Sequence, residues 1–256
     1  MKIIYRISDA GYKKEKPEYI DNETCLVNAS TRFEREDWLV IADNCGDETM
    51  NMVKAVTTSF HLGNSKVKSV SVGHGAGTFN LALDEALKYN DDDIVYFIEN
   101  DYIHKSESAK IIQEGFELGA SFVALYDHPD KYQDFKDERF TWDHGKIDID
   151  EDGVRKPKHI YNKPSECKLY ITKSVHWRTV SSTTMTWATT GKHIVEDYDE
   201  MVKLHTGKHL PMGGDTFRLL EKKGKQLISC LPSYAAHGEE KWLPYFINWE
   251  KEANAE

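Results

Sequence analysis

Eight residues constrain this chain more than any others: Ile94-Val95-Tyr96-Phe97-Ile98-Glu99-Asn100-Asp101, an apolar run that stops at two carboxylates one residue apart. An unbroken series of β-branched and aromatic residues predicts a strand buried on both faces, as in a parallel sheet covered by helices. Open α/β sheets bind ligands outside the carboxyl ends of their strands, which is where Glu99 and Asp101 would emerge. In extended chain the side chains of residues i and i+2 point the same way. The two carboxylates would then face one hard cation, magnesium or manganese, and that ion would hold a diphosphate.

The rest of the first half agrees with such a sheet, because strand and helix patterns alternate. Residues 2–7 read as a strand and 22–33 as a helix capped by Asp21 or Asn22. Residues 38–42 form a second strand that ends at Asp43-Asn44-Cys45-Gly46-Asp47, followed by a helix through Met50, Val53 and Val56. A third strand, 67–72, runs into Gly73-His74-Gly75-Ala76-Gly77 and a helix over 78–89. The glycines allow close backbone approach, and a helix start there would offer free amides to phosphate. A helix over 106–118 and a strand over 121–126 complete this half.

Residues 127–166 break the pattern with Asp, Lys, His, Pro and Gly, and read as a polar insert or lid. Strands over 167–172 and 183–188, helices near 194–205 and 214–223, and a strand over 226–230 follow. No linker or repeat divides the chain, so the expectation is one domain over 1–249. It would comprise a nucleotide-binding half (1–126), the insert (127–166) and an acceptor half (167–249). Residues 250–256 read as a frayed tail.

Bulk properties narrow the function. A net charge of −10 argues against a dominant nucleic-acid footprint. Four scattered cysteines, Cys25, Cys45, Cys167 and Cys230, have no CxxC spacing and suggest isolated reduced thiols. No apolar run approaches the roughly 18 residues of a membrane span, and the amino terminus begins directly with a strand, so a cytoplasmic location is expected.

Taken together, Asp43 at the end of the second strand, the Gly-rich turn with Asn80, and Glu99-Asn100-Asp101 resemble the GT-A fold glycosyltransferases, and most closely the inverting family 2 enzymes. The acidic turn after strand two is matched by Asp43 through Thr49, and the family's Asp-x-Asp by Glu99-Asn100-Asp101. In the second half, Gly213-Gly214-Asp215 opening a helix, then Gly224, Pro232 and His237, follow the family's order. The resemblance covers most of residues 1–240. It departs in Glu99 for the first Asp, in Gly214 where an acidic neighbour of Asp215 is common, and in the long insert.

The resemblance implies a single GT-A-like α/β domain with a mostly parallel central sheet flanked by helices. It also implies transfer of a sugar from a nucleotide-diphosphate donor to an acceptor hydroxyl, metal-dependent and inverting. Asp101 would ligate manganese or magnesium, with Glu99 reaching the ion through water or binding the ribose. His237 would be a further metal ligand or a diphosphate contact. Asp43 would read the base, suiting a uracil imide slightly better than guanine. Arg6, Asp9, Gly75, Asn80 and Asn100 would complete the nucleotide pocket, and Asp215 would be the general base. The acceptor stays open between glycan, lipid-linked, protein and modified nucleic-acid partners. The runner-up is a nucleotidyltransferase, disfavoured by the single glycine in Ser8-Asp9-Ala10-Gly11-Tyr12-Lys13-Lys14. A third reading is a catalytically silent nucleotide- or sugar-binding module.

Overall fold

The topology turns on the first strand, β1 (Lys2–Ser8). The structure, a computed structural model, describes residues 1–10, 15–60, 65–131, 147–149, 155–157 and 167–255. From β1 the chain passes through helix α1 (Asn22–Arg32), strand β2 (Asp37–Asp43), helix α2 (Asp47–Ser59) and strand β3 (Lys66–Val70), building the sheet outward on one side. Helix α3 (Gly75–Ala86) then returns it to strand β4 (Ile94–Glu99) on the other side of β1. These four strands are parallel, in the order β3-β2-β1-β4. The direction of winding reverses between β1 and β4, and such a switch point opens a crevice at the carboxyl ends.

A short strand β5 (Tyr102–His104), helix α4 (Ser108–Glu117) and strand β6 (Phe122–Ala124) follow. Of the polar insert, the described parts include a hairpin of β7 (Ile147–Ile149) and β8 (Arg155–Pro157). The reading of the insert as a lid otherwise lies outside the described residues. The second half adds β9 (Leu169–Ile171), β10 (His176–Val180), β11 (Trp187–Thr190), helices α5 (Gly191–His205) and α6 (Gly213–Lys222), strands β12 (Leu227–Leu231) and β13 (Ala235–His237), and helix α7 (Trp249–Ala253). Among the described residues, nine strands form one sheet in the order β3-β2-β1-β4-β11-β6-β12-β10-β9. Strand β11 runs antiparallel to both β4 and β6, and β10 runs antiparallel to β12 and β9.

The sheet crosses both halves of the chain, making one α/β domain with a core on each face. Ile3, Tyr5, Tyr96 and Ile98 pack toward α1, α2 and α4, while Ile4, Val95 and Phe97 pack toward α3, α5 and α6. This strand alternation explains the apolar run of β4, which has no solvent-facing side.

Four elements are absent from the sequence reading. Strand β10 lies in a stretch assigned no element, because its burial is split between Trp177, Thr179 and Val180 on the inside and His176 exposed at its start. Strands β5 and β13 pair with each other as a separate two-stranded sheet, too short to show a periodic pattern. Finally, the carboxyl-terminal residues are not frayed: α7 buries Trp249 and Ala253 against Ile20, Cys25, Ile103 and Ala236.

Candidate active site

The crevice at the β1/β4 switch point is a cleft of about 500 Å³. Arg6, Asp9, Asp43, Gly75, Glu99, Asn100 and Asp101, all singled out from the sequence, line it. Parallel register makes this possible: Arg6 stands opposite Glu99, and Ser8 opposite Asp43, so three strands end together. Asn80 is in the body of α3 and is not among the lining residues.

Several of these groups are already engaged. Asp9 accepts hydrogen bonds from the Gly46 amide at 2.6 Å and the Thr49 hydroxyl at 2.5 Å. It thus caps α2, whose own N-cap is a glycine without a side chain to offer. Asp43 is buried, and its Oδ1 accepts from the amides of Val72 at 2.6 Å and Gly73 at 3.1 Å. It therefore shapes the loop after β3, where Gly73 takes φ +81°. Three amides at the α3 N-terminus are already engaged within the protein. The Gly77 amide donates to His74 Nδ1 at 3.0 Å, the Thr78 amide to His74 O, and the Ala76 amide to His209 O. Here glycine serves packing, because a Cβ on Gly77 would collide with Val72 and His74.

The two carboxylates of the opening motif part company. Strand β4 ends at Glu99 and Asn100-Asp101 is a turn, so the i, i+2 alternation stops where it would have aligned them. Glu99 stays on the α3 side with Arg6, whose Nη2 lies 3.2 Å from Glu99 Oε1 and whose Nη1 donates to Gly75 O at 3.2 Å. Asn100 ties the strand end to its neighbours, donating to Ser8 O at 3.2 Å and to Asn22 Oδ1 at 2.5 Å. Asp101 turns instead toward the small β5/β13 sheet.

In that sheet Tyr102 pairs with His237, which brings His237 Nε2 to 3.5 Å from Asp101 Oδ2. The turn beyond is tight. Gly238 donates its amide to Asp101 O at 2.6 Å, and a Cβ there would fall 2.8 Å from the same oxygen. Lys16 Nζ is 3.7 Å from Asp101 Oδ2, so a cationic group already neighbours this carboxylate. Two ligand atoms 3.5 Å apart can share one divalent ion at 2.0–2.3 Å from each. The carboxylate oxygen suits magnesium or manganese, while the imidazole nitrogen favours a transition-metal ion, so the Asp101–His237 pair fits manganese better than magnesium.

The β5/β13 sheet is held in place from behind. Asn28 donates to His104 O at 3.1 Å and Glu252 O at 3.0 Å, and accepts the His104 amide at 2.7 Å. It thereby joins α1, β5 and α7. His104 Nε2 meets the Tyr96 hydroxyl at 2.8 Å, and burial pushes the imidazole down to about 3. The Tyr102 hydroxyl, bonded to Thr184, is raised well above its usual value by burial and then by Glu99.

Asp215 lies in the first turn of α6, exposed and paired with Arg218 at 3.0 Å, and is not among the residues lining the cleft. Residues 181–186 connect the two places. Thr186 Oγ1 accepts the Glu99 amide at 3.0 Å, and Gly213 packs against Thr183 O. Trp177, Trp187 and Trp242 are buried in the core, so their rings are not presented to the cleft surface.

Among the described residues, one group of three metal-type ligands gathers its atoms within 4.8 Å: His193, Glu196 and Asp197. Its cation is lysine. Lys225 Nζ bonds Glu196 and lies 2.9 Å from His193 Nδ1, while Lys223 Nζ is 2.8 Å from Asp197.

Sequence reasoning missed Lys16, His74, His209 and Thr186. Lys16 sits among several lysines, and the register that pairs Tyr102 with His237 is a tertiary fact.

No family model matches the chain, and no curated protein matches it in sequence. Solved structures do match in fold. A structure of GalNAc-T7 with UDP, GalNAc and Mn2+ superposes with a TM-score of 0.55 at 12% identity, over 92% of this chain and 42% of that one. S. aureus TarS 1-349 gives 0.48 at 12% identity, over 92% and 60%. The 4-diphosphocytidyl-2C-methyl-D-erythritol synthase of Anaerococcus prevotii gives 0.49 at 14% identity, over 97% and 94%. The chain thus spans less than two thirds of the first two. Its fold is GT-A-like, a single α/β domain with the large central sheet shared with the GalNAc-T7 structure.

Proposed function

We propose that this chain transfers a sugar from a nucleotide-diphosphate donor to an acceptor hydroxyl, using the β1/β4 cleft as its donor site. The observation that carries the reading is the Asp101–His237 pair, 3.5 Å apart at the edge of a cleft formed by three parallel strand ends. The cleft's described lining has four carboxylates, Asp9, Asp43, Glu99 and Asp101, against two fixed cations, Arg6 and Lys16. A diphosphate entering such a lining needs further positive charge. The GT-A fold and the UDP and Mn2+ held by the GalNAc-T7 structure support the same assignment.

In this reading Asp101 and His237 hold manganese or magnesium, which when bound neutralises the charge developing on the departing diphosphate. Arg6 fixes Glu99 on the β1 side, where the carboxylate can take the ribose hydroxyls. Asp43 presents its remaining lone pairs to the base, and Asn100 keeps the strand ends in register. Asp215 is the base that removes the acceptor proton, exchanging its Arg218 contact for the incoming hydroxyl. A single base without a nucleophile gives inversion at the anomeric carbon, and removing it would cost roughly 10²–10⁴-fold in rate.

The test is a thermal-shift screen of nucleoside diphosphates, their sugars and nucleoside triphosphates, with and without manganese, on the wild type and Asp101→Ala. A ligand at about 100 times its dissociation constant adds about 2.7 kcal/mol. A metal-dependent shift by one diphosphate, lost in the variant, supports the donor site and identifies the base. A shift confined to nucleoside triphosphates favours nucleotidyl transfer. If no nucleotide moves the transition, the reading falls.

A further inference from the structure

We propose that Lys16 binds the donor's diphosphate, and that it does so by giving up its ion pair with Asp101 when a divalent cation takes the Asp101–His237 pair. The inference rests on the donor-site reading above and adds a leaving-group residue to it.

The geometry separates a fixed partner from a movable one. Asp101 is 10% exposed and anchored by its own carbonyl to Gly238, whereas the Lys16 side chain is 35% exposed. The 3.7 Å between them is ion-pair distance, longer than a hydrogen bond. The backbone on either side of Lys16 is held: Glu15 O accepts the Glu240 amide at 3.0 Å, and Pro17 O accepts the Ile20 amide at 3.0 Å. Only the four-carbon stem needs to swing, and that stem is the flexible part of lysine.

Charge then decides where the ammonium goes. A divalent ion on Asp101 Oδ2 would put a second cation against the same carboxylate, and like charges in a partly buried site repel strongly. Arg6, the other permanently charged cation among the described lining residues, is nearly enclosed, donating to Gly75 O and pairing with Glu99. Lys16 is thus the charge available to an incoming phosphate. In the transfer, the bond from the anomeric carbon to the diphosphate oxygen breaks and its electron pair goes to that oxygen. The acceptor oxygen forms the new bond and its proton passes to the base. Lys16 remains protonated throughout and acts by charge alone.

The exchange gives Lys16→Ala effects of opposite sign on two ligands, which a general loosening of the site would not. Calorimetry on the full chain would use Mn2+ alone, then UDP, GDP, UMP and GMP in the presence of Mn2+. Manganese alone should bind more tightly to the variant, because one cation competing for Asp101 is gone. The diphosphate should bind about tenfold more weakly or worse, as expected for a lost charge-assisted hydrogen bond, with the monophosphate unchanged. Lys16→Arg should restore most of the diphosphate affinity. Unchanged diphosphate affinity, or equal weakening of manganese, diphosphate and monophosphate, overturns the role of Lys16 while leaving the donor site standing. Failure of the wild type itself to bind any of these nucleotides removes the donor-site reading, and the Lys16 proposal with it.

Discussion

Asp101 and His237, 136 positions apart in sequence, lie side by side because Tyr102 pairs in register with His237 across a sheet of only two strands. Neither residue belongs to the nine-stranded sheet that shapes the cleft. The Asp101–His237 pair is therefore carried by a small separate platform, while the cleft-lining residues Arg6, Asp43 and Glu99 ride on β1, β2 and β4. The two sets can be perturbed independently, and the predictions below exploit that division.

Removing either half of the platform pair should abolish metal dependence without disturbing the fold. Asp101→Ala should eliminate the manganese-dependent part of any nucleotide thermal shift. His237→Ala should weaken manganese by at least the roughly 10–100-fold that losing even an outer-shell partner costs. Manganese titration followed by proton relaxation reads both. Wild-type affinity in His237→Ala would show that the imidazole plays no part in holding the ion.

The Arg6–Glu99 pair should behave as a partly buried ion pair on the other side of the cleft. Arg6 is nearly enclosed and Glu99 is 24% exposed, so the loss on breaking the pair is discounted from the 3–5 kcal/mol of a fully buried one. Arg6→Met should cost about 2 kcal/mol in urea unfolding. The double change Arg6→Met/Glu99→Gln should recover about half of that, because no uncompensated carboxylate remains. Strict additivity of the two changes would mean the residues do not interact.

The same contrast explains what could be read from the sequence. The parallel half was legible because its central strands, β2 and β4 above all, are buried on both faces and so carry nearly uninterrupted apolar runs, while β3 at the edge is partly exposed. The Glu99-Asn100-Asp101 terminus was legible as a concentration of carboxylates at a strand end. That the two would face one ion was inferred from strand alternation, whereas the strand ends at Glu99 and a turn follows, with Glu99 beside Arg6 and Asp101 beside His237. The roles of Asp9 and Asp43 as a cap and a loop brace depend on which amides face them, which residue type does not reveal. Lys16 and the three-residue strand Ala235–His237 carry no periodic signal at all.

Asn28 should be worth more to stability than its single side chain suggests. It is 2% exposed and makes three hydrogen bonds that join α1, β5 and α7. Asn28→Ala would leave the His104 amide without its acceptor, and the His104 and Glu252 carbonyls with only the longer 3.4 Å bonds from Arg32. Orphaned buried groups cost about 1–3 kcal/mol each, so a loss of about 3 kcal/mol is expected. Hydrogen exchange should report the damage locally, with the Tyr102–His104 and Ala235–His237 amides losing protection before those of β1 or β4. Uniform loss of protection across both sheets would place Asn28 in the general core instead.

His104 should make the protein less stable in mild acid. Burial holds its imidazole at about 3, against about 6.5 when unfolded, so the folded state binds fewer protons between those values. The stability this represents is complete above pH 6.5 and is lost as the pH falls toward 3. At about 1.4 kcal/mol per unit, His104 alone should cost about 2 kcal/mol by pH 5. His205, also lowered by burial, adds in the same direction. The lowered carboxylates Glu85 and Glu114 contribute only below about pH 4.5, so the interval from 6.5 to 5 isolates the histidines. Urea unfolding across that interval should show a falling midpoint in the wild type. His104→Gln, which can still bond the Tyr96 hydroxyl, should be less stable at pH 7.5 and flatter with pH. A wild-type midpoint that does not move between pH 6.5 and 5 would mean that His104 accepts its proton without opening the β5 platform.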